Sequence, residues 1–287
     1  MRFYIVMPAH NEAAYISRCI DSLIAQTLLP KKLIVVNDNS TDATEAIVQR
    51  YVKKHQWIEC MTIRSSKRHV PGSKVINAFN SGFQRLDEEY DVICKFDADI
   101  EFPKHYLKAI STLFQRDEAI GIAGGLPYIK QNNEWVFEKI ASKDHVRGPI
   151  KAYKKACFKA IGGLRKSMGW DTVDVLLTQF YGWKVQTDKK LIVKHLKPTG
   201  NTYAAHTNHL QGEALYQIRS GWMLLFISAL KSAFNKKSGA YFINTVYGYA
   251  KAARLKSTPL VTKEQGRFIR KLRWKNIFKK LGNHSAI

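Results

Sequence analysis

The stretch VICKFDAD, residues 92–99, joins a short apolar run to a pair of acidic residues. A run of this length and composition predicts a buried β-strand, so Asp97 and Asp99 are expected at the edge of a sheet. Carboxylate oxygens are ligands that Mg²⁺ and Mn²⁺ prefer, and these ions also bridge substrate phosphates. A solvated acidic turn is the alternative, and the third acid at Glu101 would fit it.

Strand-like and helix-like segments alternate on the N-terminal side of this stretch. Each predicted strand is followed by a turn and then by apolar residues at helical spacing. The predicted strands cover residues 3–7, 33–36, 57–63 and 90–96, and the predicted helices cover 12–26, about 43–54 and 75–86. This alternation predicts an α/β fold with a doubly wound, mostly parallel sheet.

Polar side chains stand where three of these strands end. They lie in residues 8–12, at Asp38 and in residues 97–99. Ligands of such sheets bind at the carboxyl edge of the strands. We therefore expect these three loops to form one site.

The pattern changes along the second half of the chain. A helix over residues 103–115, a strand over 120–123 and a strand pair over 185–195 are predicted, and after Gly212 the sequence becomes helical and basic. We expect a catalytic domain over residues 1–210 and a helical, basic extension over 211–287.

The motifs and their order resemble those of family-two glycosyltransferases with the GT-A fold, of the kind that act in bacterial cell-surface polysaccharide or glycolipid synthesis. PAHNE at 8–12 is similar to a PxxNE segment of that family, VVNDNSTD at 35–42 is similar to its VVDDxSTD segment, and Asp97-Ala98-Asp99 falls where its DxD motif belongs. Asn37 departs from the commoner Asp. The resemblance extends over about residues 3–212.

The resemblance implies a nucleoside-diphosphate sugar, with UDP or GDP, as donor. Glu12 and Asp38 would contact the base and ribose, because carboxylates accept hydrogen bonds from hydroxyl and imide groups. Pro8 and His10 would line the base pocket. Asp97 would face the nucleotide as well as Mn²⁺ or Mg²⁺.

Two further residues are candidate ligands of the diphosphate or the metal. Lys74 begins a predicted helix, where an ammonium and a helix N-terminus could both face phosphate, but it could equally be a solvated lysine. His195 follows the last predicted strand and resembles a position where GT-A enzymes place a further metal or diphosphate ligand. Lone histidines near strands are more often structural.

Residues 147–153, RGPIKAY, resemble the family's acceptor-side segment, and GWDTVD at 169–174 stands where the family has an ED pair whose Asp is the general base. Counting back from Gly182 aligns that base with Asp171, and Trp170 replaces the Glu. Asp174 is the rival. The resemblance thus implies an inverting transfer, in which this carboxylate takes the proton of an acceptor hydroxyl.

The formal net charge of +23 predicts attraction to an anionic partner. From Glu213 onward two acids face fifteen basic residues, and residues 267–281, RFIRKLRWKNIFKKL, have the composition of an interfacial membrane helix. The alternative is a helix that packs on the domain with its basic face in water. The sequence has no zinc-finger, RRM or KH signature, so a nucleic-acid partner is not expected.

The N-terminus reaches Pro8 too soon for a signal peptide, and the longest apolar run, 222–230, is too short to span a bilayer. We therefore expect a cytoplasmic protein, peripheral on the inner face of the cell membrane.

The expected function is a metal-dependent inverting transfer of a sugar to a hydroxyl of a lipid-linked or cell-surface glycan. A nucleotidyltransferase that makes nucleotide sugars is one alternative, although PAHNE lacks the Gly-rich basic loop of that class. A noncatalytic nucleotide-binding or glycan-binding module is the other.

Overall fold

The computed structural model describes residues 1–65, 72–198 and 208–282. The chain divides into two compact units. The first comprises Met1–Lys166 and Tyr181–Asn201, and the second comprises Ser167–Phe180 and Thr202–Ile287. Part of the range predicted for the catalytic domain, residues 167–180, thus belongs to the second unit. The boundary near residue 210 stays a prediction.

The first unit is a sheet with helices on its faces. Its strands are β1 (Phe3–Ala9), β2 (Lys32–Asp38), β3 (Ile58–Ile63), β4 (Val92–Phe96), β5 (Ile100–Glu101), β6 (Ile120–Gln131), β7 (Glu134–Phe137), β8 (Ile150–Lys154) and β9 (Lys184–His195). Its helices are α1 (Ile16–Ile24), α2 (Thr44–Val52), α3 (Ser73–Phe83), α4 (Tyr106–Arg116) and α5 (Lys155–Ile161).

The strands follow the order β3-β2-β1-β4-β8-β6-β9-β5, and β7 pairs with β6. The pairs β3-β2, β2-β1 and β1-β4 are parallel, as the strand–helix alternation predicts. Beyond β4 the sheet becomes mixed, because β8 runs antiparallel to both β4 and β6. The prediction of an α/β fold is confirmed, with parallel pairing concentrated in the first four strands.

The predicted strand pair over residues 185–195 is wrong, because these residues form the single strand β9. The polar run 186–190 resembles a turn in sequence. In the structure it is an irregular stretch of β9, where the pairing with β6 shifts register between Gly124 and Leu126. The Lys190 N–H donates to Asp188 Oδ1 at 2.9 Å, which satisfies a backbone group locally.

The core of the first unit lies between the sheet and its helices. Alternate residues of β1, β2 and β4 pack with α1 and α4 and are fully buried. On the other face, α3 approaches the sheet so closely that a Cβ on Gly82 would lie 2.7 Å from methyl groups of Val6 and Val36. This close packing places α3 directly on the strands that lead into the predicted site.

The second unit consists of helices α6 (Trp170–Phe180), α7 (Asn208–Gln217), α8 (Trp222–Lys236), α9 (Gly239–Arg254) and α10 (Lys263–Gly282). Helices α7 and α9 are in backbone contact: a Cβ on Gly212 would lie 1.8 Å from the Thr245 carbonyl oxygen, and one on Gly248 would lie 1.9 Å from that of His209. Phe180 of α6 packs edge-on against Phe268 of α10. The predicted helical character of the extension is confirmed.

Within the described residues, no helix combines the length and the apolar character needed to cross a bilayer.

Candidate active site

The loops after β1 and β2 are tied together by hydrogen bonds, as their shared sheet edge predicts. His10 Nδ1 lies 2.6 Å from the carbonyl oxygen of Asp38, and Asn11 Oδ1 accepts from the Thr41 N–H at 2.8 Å. Asn11 adopts a left-handed backbone with φ of 54°, which Asn tolerates better than most residues. The turn therefore holds His10 beside the end of β2.

Asp38 is buried at the end of β2, and its Oδ1 accepts from the Ser65 N–H at 3.1 Å. Pro8 of β1 pairs with Val36, two residues before Asp38 on β2. Asp42 links the two loops, because its Oδ1 accepts from the Thr44 N–H and its Oδ2 accepts from the Ala13 N–H. Pro8, His10 and Asp38 are thus brought together at one edge.

The two DxD carboxylates have different surroundings. Asp97 is partly exposed, and its Oδ1 accepts from the Lys95 ammonium, which is buried within β4. Asp99 is 9% exposed, and its Oδ2 lies 3.4 Å from His195 Nε2. Its Oδ1 is buried and has no hydrogen-bond partner among the described residues. A buried carboxylate oxygen without a partner is costly, and a bound cation would remove that cost.

Glu12 adds a third carboxylate to this cluster. Its Oε1 accepts from Lys197 Nζ at 3.0 Å, whereas its Oε2 is buried without a partner in the described parts of the chain. Burial raises the pKa of Glu12; the nearby charges of Asp99 and Asp97 raise it further, and Lys197 opposes them. Glu12, Asp97 and Asp99 therefore share one region of negative potential.

Glu101 does not belong to this cluster. Its Oε2 accepts from Arg18 Nε at 3.1 Å, and its Oε1 accepts from Lys194 Nζ at 2.6 Å. These contacts lower the pKa of Glu101 despite the opposing effect of burial. The third acid therefore forms its own ion pairs instead of extending an acidic turn over Asp97 and Asp99.

His195 lies at the end of β9, buried between two carboxylates. Its Nδ1 is 3.0 Å from Glu138 Oε2, and the same carboxylate oxygen accepts from Arg147 Nη1 at 3.2 Å. Burial alone would lower the pKa of His195, but its hydrogen bonds with Asp99 and Glu138 outweigh this and raise the pKa to about 9. In this state an imidazolium joins Asp99 to a buried ion pair.

The carboxylate oxygens at this edge are ligands of the type that a hard divalent cation prefers. Asp99 Oδ1 is buried without a partner among the described residues, and the charges of Asp99 and Asp97 both act on Glu12. Over the described ranges, no group of three or more His, Cys, Asp or Glu side chains is arranged to hold a metal ion.

The remaining predicted residues are placed as follows. Lys74 is the second residue of α3, after Gly72, which has φ of 77° and precedes the helix. Asp171 lies in the first turn of α6, in the second unit, and is partly exposed. Asp174 is three residues further on and is 2% exposed.

The sequence interpretation missed two charged partners of the acidic cluster, Lys95 and Lys197, and one partner of His195, Glu138. A signal was available for Lys95, because it interrupts an otherwise apolar strand two residues before Asp97. Charges in buried strands are rare unless they are paired. Lys197 and Glu138 lie 185 residues from Glu12 and 57 residues from His195, respectively, so only tertiary structure brings them to their partners.

A comparison with models of known protein families finds a match over the first part of the chain. The model of the family described as "Glycosyl transferase family 2" matches residues 4–168. The chain belongs to this family. The match includes Glu12, Asp38 and the DxD motif, and it ends before Asp171.

Curated relatives match parts of the chain. An uncharacterized glycosyltransferase of Nostoc sp. is 27% identical over 136 residues, which cover 47% of this chain and 40% of the relative. One of Rickettsia prowazekii is 46% identical over 116 residues, which cover 39% of this chain and 33% of the relative. The chain thus spans about two fifths of the length of the first curated relatives.

Solved structures share the fold. The fragment TarS 1-349 of S. aureus in complex with UDP-GlcNAc has a TM-score of 0.56 at 16% identity, covering 78% of this chain and 66% of that fragment. A mannosyltransferase of Pyrobaculum calidifontis in complex with GDP-Man and Mn²⁺ has a TM-score of 0.55 at 16% identity, covering 97% of this chain and 81% of that structure. The predicted GT-A fold is confirmed.

The His195 contacts predict a pH-dependent stability in metal-free buffer with EDTA. Because the pKa of His195 is raised from 6.5 to about 9 by folding, its stabilisation is complete below pH 6.5 and is lost as the pH rises through 9. We expect the free energy of unfolding in urea to lose on the order of 3 kcal/mol more between pH 6.5 and 9.5 in the wild type than in His195→Gln. The exposed His105→Gln variant should follow the wild type, and equal pH profiles for all three proteins would contradict the assignment.

Proposed function

We propose that this protein is a metal-dependent, inverting glycosyltransferase that moves a sugar from a nucleoside-diphosphate sugar to a hydroxyl acceptor. The main support is the pair of buried carboxylate oxygens, Asp99 Oδ1 and Glu12 Oε2, that have no partner among the described residues. An acidic edge that leaves buried anionic oxygens without a partner favours a bound cation. Membership of glycosyl transferase family 2 supplies the reaction class.

Donor binding is assigned to the ends of β1 and β2. Asp38 and Glu12 would accept hydrogen bonds from the ribose and base, and Pro8 and His10 would line the base pocket. The hydrogen bonds between residues 10–12 and the loop after β2 support this assignment, because they fix these groups before the donor arrives. Lys74, near the N-terminus of α3, would contact the diphosphate.

Asp97 and Asp99 would hold Mn²⁺ or Mg²⁺, and His195 would either ligate the ion or orient Asp99. When bound, such an ion neutralises negative charge that develops on the departing diphosphate. The fold neighbours include structures with Mn²⁺ and either GDP-Man or UDP, which supports a divalent metal and either nucleotide. Lys95 would hold Asp97 in place through its ion pair.

Asp171 is the proposed general base. It would take the proton of the acceptor hydroxyl while that oxygen attacks the anomeric carbon and the bond from this carbon to the diphosphate breaks. The exposure of the two candidate carboxylates supports Asp171 over Asp174. Asp171 is partly open to solvent, whereas Asp174 is 2% exposed and its Oδ1 accepts from the Val175 N–H at 2.6 Å.

Replacing Asp99 should test the metal assignment. We expect Asp99→Asn to weaken Mn²⁺-dependent binding of UDP or GDP at least tenfold in calorimetry, because the amide removes the anionic ligand without changing the side chain's shape. Glu101→Gln is the matched control, since Glu101 lies two residues away and is already paired with Arg18 and Lys194. Unchanged nucleotide binding in Asp99→Asn, or equal losses in both variants, would refute the assignment.

Replacing Asp171 should separate chemistry from donor binding. We expect Asp171→Asn to lower kcat by about 10²–10⁴ with donor affinity unchanged, which is the range for loss of a general base. The assay measures sugar transfer at saturating donor and acceptor. Full transfer by this variant would move the assignment to Asp174.

The proposed acceptor is a lipid-linked or cell-surface glycan, reached from the cytoplasmic face of a membrane. Helix α8 supports membrane attachment, because Met223, Ile227, Leu230 and Phe234 lie at helical spacing and are 69%, 39%, 66% and 85% exposed. Basic residues near anionic lipid each contribute about 1 kcal/mol, and the second unit is rich in them. An apolar helix face with surrounding positive charge is typical of interfacial binding.

Helix α10, which the sequence suggests as the membrane-binding helix, has fewer exposed apolar side chains than α8 among the described residues. Phe278 is 62% exposed and Trp274 stacks on it, but Ile269 is buried. The side chain of Leu281 lies outside the described residues. We therefore assign the main membrane contact to α8.

Replacing the two most protruding apolar residues toward the end of α8 should test membrane attachment. We expect Leu230→Ser/Phe234→Ser to reduce cosedimentation with vesicles of phosphatidylcholine and phosphatidylglycerol at least fivefold, because it removes apolar area that would enter the lipid. Leu29→Ser is the control, since Leu29 is 53% exposed but belongs to the first unit. Equal cosedimentation of the wild type, Leu230→Ser/Phe234→Ser and Leu29→Ser with the vesicles would contradict membrane attachment through α8.

A further inference from the structure

The second unit contains a cavity lined by basic side chains. Its volume is about 310 Å³, and its lining residues are Arg219, Lys263, Arg267 and Arg270. This volume is at the lower end of the ~300–1,000 Å³ range of ligand pockets. We call it the basic cavity.

Two chain segments build the basic cavity. Lys263, Arg267 and Arg270 are spaced by four and three residues and so lie on one face of α10, which begins at Lys263. Arg219 comes from the turn after α7 and has a left-handed backbone with φ of 56°. The convergence of four cations is thus a product of tertiary structure, which the sequence of α10 alone does not show.

Hydrogen bonds to the backbone hold the two inner guanidinium groups. Arg219 Nε donates to the carbonyl oxygen of Val261 at 2.9 Å, and Arg270 Nη1 donates to the carbonyl oxygen of Arg219 at 2.7 Å. Gly266 permits this packing, because a Cβ there would lie 2.7 Å from Arg219 Cβ. Each guanidinium has five N–H donors, so donors remain after these bonds.

Among the described residues, none of the four side chains forms an ion pair with a carboxylate. Four like charges around a small volume repel one another, and an anion placed between them removes that repulsion. Guanidinium groups match the oxygens of phosphate with two parallel hydrogen bonds, and an ammonium adds a compact charge. The N-terminus of α10 contributes further positive potential at Lys263.

A second cavity of about 220 Å³ shares Arg219 and Arg270 with the basic cavity. Tyr216, Tyr249 and Pro259 also line it. The rings of Tyr216 and Tyr249 pack edge to face with centroids 5.5 Å apart. The cations thus adjoin a second hollow with two tyrosine rings in its lining, which has room for the group to which a phosphate is attached.

We propose that the basic cavity of Arg219, Lys263, Arg267 and Arg270 binds the phosphoryl group of a phosphate ester. This site lies within the second unit and does not depend on the DxD carboxylates. Its ligand is either a soluble phosphate ester or a phospholipid headgroup, because both present the same oxygens.

Calorimetry with inorganic pyrophosphate tests the site in the full-length chain, at low ionic strength with EDTA. We expect saturable binding that Lys263→Gln/Arg267→Gln weakens at least tenfold. Both residues line the cavity and are exposed, and neither side chain forms a hydrogen bond within the described part of the chain. Lys275→Gln/Lys279→Gln is the matched control, because it removes two exposed charges from the same helix outside the cavity.

The Asp99→Asn variant separates this site from the donor site. Pyrophosphate binding that persists in Asp99→Asn and fails in Lys263→Gln/Arg267→Gln supports the basic cavity. Absence of saturable binding to the wild type, or equal weakening by the control pair, overturns the proposal. Neither of these outcomes bears on the metal assignment, which is tested by Mn²⁺-dependent nucleotide binding.

Vesicles containing phosphatidic acid distinguish the two sources of phosphate. If pyrophosphate releases the wild type from these vesicles and Lys263→Gln/Arg267→Gln binds them less than the control pair does, the cavity takes a lipid headgroup. If vesicle binding is the same for both variants while pyrophosphate binding differs, the cavity takes a soluble phosphate ester. Either result supports a phosphoryl site.

Discussion

The mutual repulsion of three carboxylates at the carboxyl edge of the sheet is the constraint on which the candidate site depends. Glu12, Asp97 and Asp99 come from the ends of two adjacent parallel strands, so the pairing of β1 with β4 forces them together. Burial makes the charged form of Glu12 costly, and its neighbours increase that cost. The surrounding structure must therefore supply positive charge, and the three carboxylates receive it from different residues and to different extents.

Each carboxylate receives a different counter-charge. Lys95 of β4 pairs with Asp97, which follows that strand, and Lys197 reaches Glu12 from beyond the end of β9. His195 faces Asp99 through one ring nitrogen and the Glu138–Arg147 pair through the other. Two carboxylate oxygens receive no such partner: Asp99 Oδ1 and Glu12 Oε2 are buried without a hydrogen bond in the described parts of the chain. A site that is nearly but incompletely neutralised is suited to admit one more cation.

The second unit contains a cluster of the opposite charge, made of basic side chains. Its basic residues outnumber its acids several-fold, and at the basic cavity four of them converge. Carboxylates thus cluster at the sheet edge of the first unit and cations cluster at the basic cavity of the second, while both units carry more basic than acidic residues. The proposed donor site depends on the first cluster and the proposed phosphoryl site depends on the second.

The strand–helix alternation and the edge at which the polar loops meet were predictable from the sequence, because they depend on local periodicity. The family was predictable because it depends on short motifs such as PAHNE and DAD. The sequence also indicated a basic helical extension from composition. It could not reveal the single strand β9, since a polar irregularity within a strand resembles a turn. Only tertiary structure decided that Glu101 is neutralised by Arg18 and Lys194, that Lys197 reaches Glu12, and that Arg219 joins α10. Those contacts join residues far apart in the chain, and their energy depends on distance and burial in the folded state, which neither residue's local sequence encodes.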